Sequence, residues 1–374
     1  MRYSRLAFVV AAAVASTSLH AEVTLNGFAS VKAGTTLSGD DSLYGYSNDL
    51  DFKPESLFAI QAQSDLGEKL SVTAQLMAKG NKDFDTEFAW AFMSYQATEQ
   101  IRINAGRIRI PFYKYSDYLD VGYAYDWART PRSVYDVQFD TMDGASALIS
   151  NSFGDWQSNV QLSFGSYNGK VSVEGQLSPS KINNLMGGSW ELSNDWFSTR
   201  VAYMKADVSI QAAALDPLLA GLTQYGFGSV AKKIDFDEDA GTFFGIGFGI
   251  DKNDWVVNSE YTQVKIDNSF MAERDSWFVS VGHRFGTWTP YVSYEINRDK
   301  SDPTIYASMP KVHPLYAPTA GLVGSQESDL KVYNVGFRYD FHASAAFKAE
   351  LTSADDKLTD DTIQLLTLGV DLVF

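Results

Sequence analysis

The chain has 374 residues, with 30 Lys and Arg against 46 Asp and Glu for a formal net charge of −16, and no cysteine. That negativity excludes a nucleic-acid partner, since holding a phosphate backbone rests on cationic side chains. With no cysteine the chain must gain its stability without disulfides, and 14% aromatic residues, with 20 Tyr and 24 Phe, exceed what a soluble domain needs.

Arg2 and Arg5, the apolar run 6–14 and the small residues 16–21 read as a secretory signal with cleavage after Ala21. The run is too short to span a bilayer, and no other stretch approaches the roughly 18 apolar residues of a membrane helix. Loss of Arg2 and Arg5 leaves 28 cations against 46 acids, a net −18 for the mature chain 22–374.

From there alternating apolar and polar segments follow one another to the end. Candidate strands lie at about 23–35, 54–66, 69–80, 87–98, 100–110, 143–153, 155–166, 186–194, 196–210, 241–251, 255–266, 274–285, 288–298, 329–341, 345–354 and 362–374. Sixteen is an even number, as single-chain bacterial barrels require. Every second connection is short, and those between are mostly long, notably 36–53, 111–142, 167–185, 211–240 and 299–328. Four short turns step onto tryptophan, at Trp156, Trp196, Trp255 and Trp288, where indole rings suit a bilayer interface. In the first segment Val23, Leu25, Ala29 and Val31 alternate with Thr24, Asn26, Ser30 and Lys32. The apolar set faces lipid and the polar set a lumen. The pattern predicts a transmembrane antiparallel β-barrel of about sixteen strands, wide enough to enclose water.

The fifth segment carries the lumen chemistry. Arg102 and Asn104 alternate with isoleucines, then Arg107 and Arg109 do, and the parity flips across Gly106. A β-bulge at Gly106 explains the flip and turns three arginines inward, with Lys32, Lys79 and Arg338 or Lys348 joining from other strands. Basic rings of this kind favour anions. The competing reading is that they hold the next loop in place. That loop, 111–142, supplies acids (Asp117, Asp120, Asp126, Asp136, Asp140) and aromatics (Tyr113, Tyr115, Tyr118, Tyr123, Tyr125, Trp127). The aromatics read as a stacking track for sugar-like or aromatic solutes, or as the packed interior of a folded loop. Further on, 211–230 reads as a short helix broken at Pro217. The clusters of acids in other loops read as solvated surface.

The passage Gly106 to Tyr135 (Gly106-Arg107-Ile108-Arg109-Ile110-Pro111-Phe112, then Ser116, Asp117, Leu119 to Tyr123, Trp127, Arg129 and Tyr135) resembles the strand-to-loop-3 region of proteobacterial porins. The end Thr367, Gly369, Leu372, Phe374 is similar to the polar-x-Gly-x-x-hydrophobic-x-aromatic terminus by which such barrels are recognised for insertion. The chain as a whole resembles the Gram-negative trimeric porins. It lacks an N-terminal coiled coil and a Pro-Glu-Phe-Gly-Gly-like loop core. The resemblance implies a passive channel in the outer membrane for small hydrophilic solutes and ions, with the loop 111–142 folded in as a constriction. It also implies a homotrimer, contact with outer-membrane lipid and lipopolysaccharide, and an assembly machinery that reads Phe374. No cofactor or metal follows from it. His283, His313 and His342 show no nucleophile or metal-ligand spacing, which sets a hydrolase aside. An adhesin or purely structural barrel would have fewer strands and a filled interior.

Overall fold

The computed structural model describes residues 22–39, 41–173 and 175–374; the expected signal sequence, residues 1–21, lies outside them. Its strands are β1 (Val23–Thr36), β2 (Leu57–Gly67), β3 (Leu70–Lys79), β4 (Thr86–Gln96), β5 (Ile101–Arg109), β6 (Thr141–Phe153), β7 (Trp156–Val173) and β8 (Gln176–Ser193). They continue as β9 (Phe197–Ile210), β10 (Phe236–Lys252), β11 (Trp255–Ile266), β12 (Glu273–His283), β13 (Trp288–Lys300), β14 (Ser328–His342), β15 (Ala345–Asp356) and β16 (Asp361–Val373). Each pairs antiparallel with its sequence neighbours, and β1 pairs with β16, so the sheet closes on itself. Closure leaves no ladder open, which a hydrocarbon environment demands.

The seam runs from Phe28 opposite Val373 to Thr36 opposite Leu365, and Gly27 and Phe374 exchange backbone hydrogen bonds of 2.7 and 2.9 Å. The expected pairing of 24–34 with 363–373 is therefore offset, and residues 23–27 extend past it along β2. The terminal ring stacks on Phe58 at 5.8 Å. A Cβ on Gly27 would come within 2.3 Å of that ring, so the last aromatic has its place only because position 27 is glycine.

Side chains divide by parity. On β1, Val23, Leu25 and Val31 are 58%, 62% and 55% exposed, whereas Ser30 and Lys32 are buried. Val335 and Phe341 on β14 point out while Asn334 is buried. The tight turn Asn253-Asp254 has both residues at positive φ, 51° and 65°, the mirror-image geometry that matches strand twist, and Trp255 starts the next strand there. Trp156 and Trp288 start strands at the same end, and Trp196 sits in the turn just before β9.

Three local expectations change. Residues 167–185 are not a loop but the extension of the β7–β8 hairpin, paired as far as Val173 opposite Gln176. The segment after β9 forms two helices, Asp216–Gln224 and Gly228–Ile234, and Pro217 lies in the first turn, where its missing N–H costs nothing, so it opens a helix rather than breaking one. No register shift occurs at Gly106: β5 pairs without interruption with both neighbours. The extra residue sits in β4, where Gln75 faces Trp90 and Leu76 faces Phe88, skipping Ala89.

Leu222, Val230 and Ile234 of these helices pack with Phe236, Phe270, Ile305 and Val323 into an apolar cap at the long-loop end. A second apolar cluster lies inside the barrel, where the chain between β5 and β6 folds inward.

Candidate functional site

Residues 110–140 leave β5 and cross the lumen before returning to β6. What holds them there is a set of mid-strand charges on lumen-facing positions. Lys348, fully buried, donates to the carbonyls of Gly122, Tyr125 and Trp127 at 2.6, 2.6 and 2.9 Å and pairs with Asp371 at 2.9 Å. Arg338 donates to the carbonyls of Tyr123 and Tyr125 at 2.7 and 3.2 Å. From the opposite wall Glu260 accepts from the Lys114 amide at 2.9 Å and the Tyr135 hydroxyl at 2.5 Å. Glu295 accepts from the Ser133 amide at 3.1 Å. The Tyr291 hydroxyl accepts from the Ala128 amide and donates to Glu350. These contacts supply partners to loop backbone groups that would otherwise be buried unpaired. Gly122 sits so close to β16 that a Cβ would lie 2.2 Å from Asp371 Oδ1.

Two further knots fix the loop laterally. Asp120 accepts from Lys79 and Arg109, each at 2.7 Å, and Arg109 also pairs with Asp140. Burial alone would raise the Asp120 carboxyl, but those cations outweigh it and hold it well below the usual range. Arg129 forks onto Glu55 at 2.6 and 2.8 Å and reaches Thr367 at 2.7 Å and Glu350 at 3.4 Å. Burial would likewise push Glu55 up, yet Arg129, Lys32 and Arg132 bring it down from the usual 4.5 to about 2. The loop aromatics turn inward on themselves: Tyr113, Tyr115, Trp127 and Tyr135 are buried and meet edge to face.

So placed, the loop divides the lumen. On its turn side lies a cavity of about 400 Å³ whose lining includes Lys114, Tyr118, Asp126, Trp196, Arg284 and Arg338. On its outer side lies a cavity of about 220 Å³ lined chiefly by apolar groups, among them Phe112, Phe139, Ile182, Val208, Phe243 and Val264. A closed sixteen-strand barrel, crossed by an inward loop and keeping a polar chamber at its turn end, is the architecture of a diffusion pore.

A model of the Gram-negative porins matches residues 7–360. The chain belongs to that family. Among solved structures, an anion-selective porin from Comamonas acidovorans aligns with a TM-score of 0.59 at 13% identity, over 95% of this chain and 100% of that one. The outer membrane channel DcaP of Acinetobacter baumannii aligns at 0.58 and 12% identity, over 96% and 99%. OmpF of Salmonella typhi aligns at 0.56 and 14% identity, over 95% and 98%. At these identities the likeness is one of fold. No curated protein matches the sequence. The porin is thus an outer-membrane β-barrel and a diffusion channel for solutes.

Within this porin the residues singled out from sequence are distributed unevenly. Arg109, Asp120, Asp126 and Arg338 converge on the loop as described, and Lys32 is buried in the wall near Glu55 and Asp371, its stem against Gly369. Asp117 is 63% exposed and lies 3.6 Å from Arg200. Tyr118 lines the turn-side chamber, but Tyr113 does not line the channel: its hydroxyl accepts from the Val137 amide inside the folded loop. Arg107 shares the parity of Ile103 and Ala105 and forks onto Asp143 across the ladder. It remains exposed in that pair, whereas Arg109, of the same parity at the end of the strand, is buried against Asp120 and Asp140. Arg102 is exposed near the turn end of β5, remote from the loop. The acids Glu260, Glu295 and Glu350, with Lys114 and Arg200, escaped the sequence reading. For the four strand residues the signal was a charge in mid-strand among polar neighbours of lumen parity, as in Asn258-x-Glu260-x-Thr262; Lys114, in the loop, carried no such signal.

Proposed function

We propose that this porin passes small hydrophilic solutes and ions passively, with a mild anion preference set beside the infolded loop by Lys114. The observation carrying this reading is ion pairing. Of the charged residues lining the turn-side chamber, Arg284 pairs with Asp251 at 2.6 Å and Arg338 with Asp340 at 2.8 Å and Asp126 at 4.0 Å. Lys114 has no carboxylate within 4 Å of its ammonium among the described residues; it lies over the Tyr115 ring at 4.6 Å. Asp195, the remaining acid of the lining, sits out on the turn at the chamber mouth. A charge at the narrow end outweighs one at the rim, since charges more than about 8 Å from the ion path are largely screened at physiological salt. Arg109, saturated by two carboxylates, serves as a strut rather than a filter.

The assignment extends to assembly and processing. Cleavage after Ala21, a homotrimer, recognition of Phe374 by the barrel-assembly machinery and contact with lipid and lipopolysaccharide complete the reading. A catalytic role has no support in the histidines. His283 lies between Trp255 and Phe285, His313 packs on Tyr225 and Phe227, and His342 accepts from the Ser344 amide. The test is the zero-current potential of the purified porin in a planar bilayer under a salt gradient: an anion-sided potential supports the assignment, and a cation-sided one overturns it.

A further inference from the structure

The cavity on the outer side of the loop is unlike a water-filled vestibule. It lies where β7 to β12 meet their long loops, on the way from the outside to the constriction. Val208, Val264 and Ile182 form its wall, although these residues stand on lumen-facing positions where a channel for ions needs polar groups. Its floor is aromatic. Phe112 meets Phe139 edge-on at 5.9 Å and Phe243 at 4.7 Å, and Phe139 stacks on Tyr167 at 4.8 Å.

Most of its charges are paired, and Lys205, which has no ion pair among the described residues, stands at the opposite parity to the lumen-facing Met204, Ala206 and Val208. Arg274 is shared between Asp299 at 3.1 Å and Asp136 at 3.0 Å, and Lys265 pairs with Asp267 at 2.8 Å. Little remains to hold an ion. A volume of about 220 Å³ exceeds the roughly 150 Å³ at which an apolar cavity takes up a benzene ring.

Resting on the channel reading, we propose that this outer chamber is a binding station for the aromatic ring of an uncharged, ring-bearing polar solute. The ring docks against Phe112, Phe139 and Phe243, and its hydrophilic portion stays in the water-filled part of the lumen. The loop beneath then receives the solute already held at the mouth of the constriction.

The experiment compares phenyl β-glucoside with methyl β-glucoside, added on the long-loop side of single channels in a planar bilayer. The two share a neutral sugar and differ by the ring. Phenyl β-glucoside should interrupt the ion current at a concentration at least about tenfold lower, the scale set by burying one ring. In Val208→Thr/Val264→Thr, which keeps shape and adds hydroxyls, the two glucosides should converge to within about twofold on the same scale. Ala206→Phe, which fills the chamber, should give the same convergence by a different route. Equal blocking by both glucosides in the wild type overturns the inference, and so does a ring preference that survives in the conducting variants. A wild-type protein that inserts but conducts no ions overturns the channel reading itself.

Discussion

The two chambers on either side of the infolded loop share the same strands yet differ in kind. Along β11 the lumen-facing positions run Asn258, Glu260, Thr262, Val264, Ile266 from turn to outer end, and along β9 they run Ser198, Arg200, Ala202, Met204, Ala206, Val208. Polarity falls steadily outward on both. The turn-side chamber inherits the polar half and keeps Lys114 beside the path, while the outer chamber inherits the valines and closes over phenylalanine from the loop. A porin lumen is therefore not one environment. The loop separates a compartment that sorts by charge from one that sorts by apolar surface, and its ion pairs keep the two apart.

Removing the partition is the largest perturbation available. Arg129→Met leaves Glu55 and Glu350 buried without their cation, and breaking one side of a buried pair costs about 3–5 kcal/mol. Urea unfolding in lipid vesicles should show that loss, and single channels should become larger and noisier as the two chambers merge. An unchanged unfolding midpoint would mean the loop is held without Arg129.

Acid should open the same partition more gently. The Glu55 carboxyl lies at about 2 in the fold against 4.5 normally, so its contribution is present above pH 4.5 and is lost as pH falls through about 2. The shift corresponds to about 3 kcal/mol. Stability should be flat from pH 7 to 5 and decline below it, and Arg129→Met should remove the part of that decline that Glu55 contributes, leaving the part that Asp120 contributes. A wild type as stable at pH 2.5 as at pH 6 would show that the pair contributes nothing.

The charge-sorting chamber is tested next. Lys114→Gln should move the zero-current potential toward cations by about a factor of two in the permeability ratio, the scale of one partly screened charge. Burial depresses the Lys114 ammonium, so the wild-type anion preference should disappear on the alkaline side at a pH below that of an ordinary lysine. A preference that persists through pH 11 would place its source elsewhere.

The smallest effect belongs to arginines outside both chambers. Arg102→Gln and Arg107→Gln should leave the zero-current potential unchanged, because Arg102 lies near the turn end and Arg107 is neutralised by Asp143. A shift with either would return that residue to the permeation path.

The chain order of alternating segments, the parity of loop lengths and the aromatic terminus were enough to settle sixteen strands, their direction and their closure, because in lipid every backbone group must find a partner within the barrel. The inward fold of the loop was implied by the family resemblance, and its acids and tyrosines, with the strand cations facing them, marked it as the candidate constriction. Tertiary structure alone decided which charges are struts and which remain beside the water path. Arg109 has the same local sequence signature as Arg107, yet one meets Asp120 and Asp140 and the other Asp143. A period of two tells in from out, but it carries no information on what lies across the lumen. For the same reason Val208 and Val264 read from sequence as ordinary strand residues. Only the folded barrel, by bringing β9 and β11 beside Phe112 and Phe139, turns them into the wall of an apolar chamber.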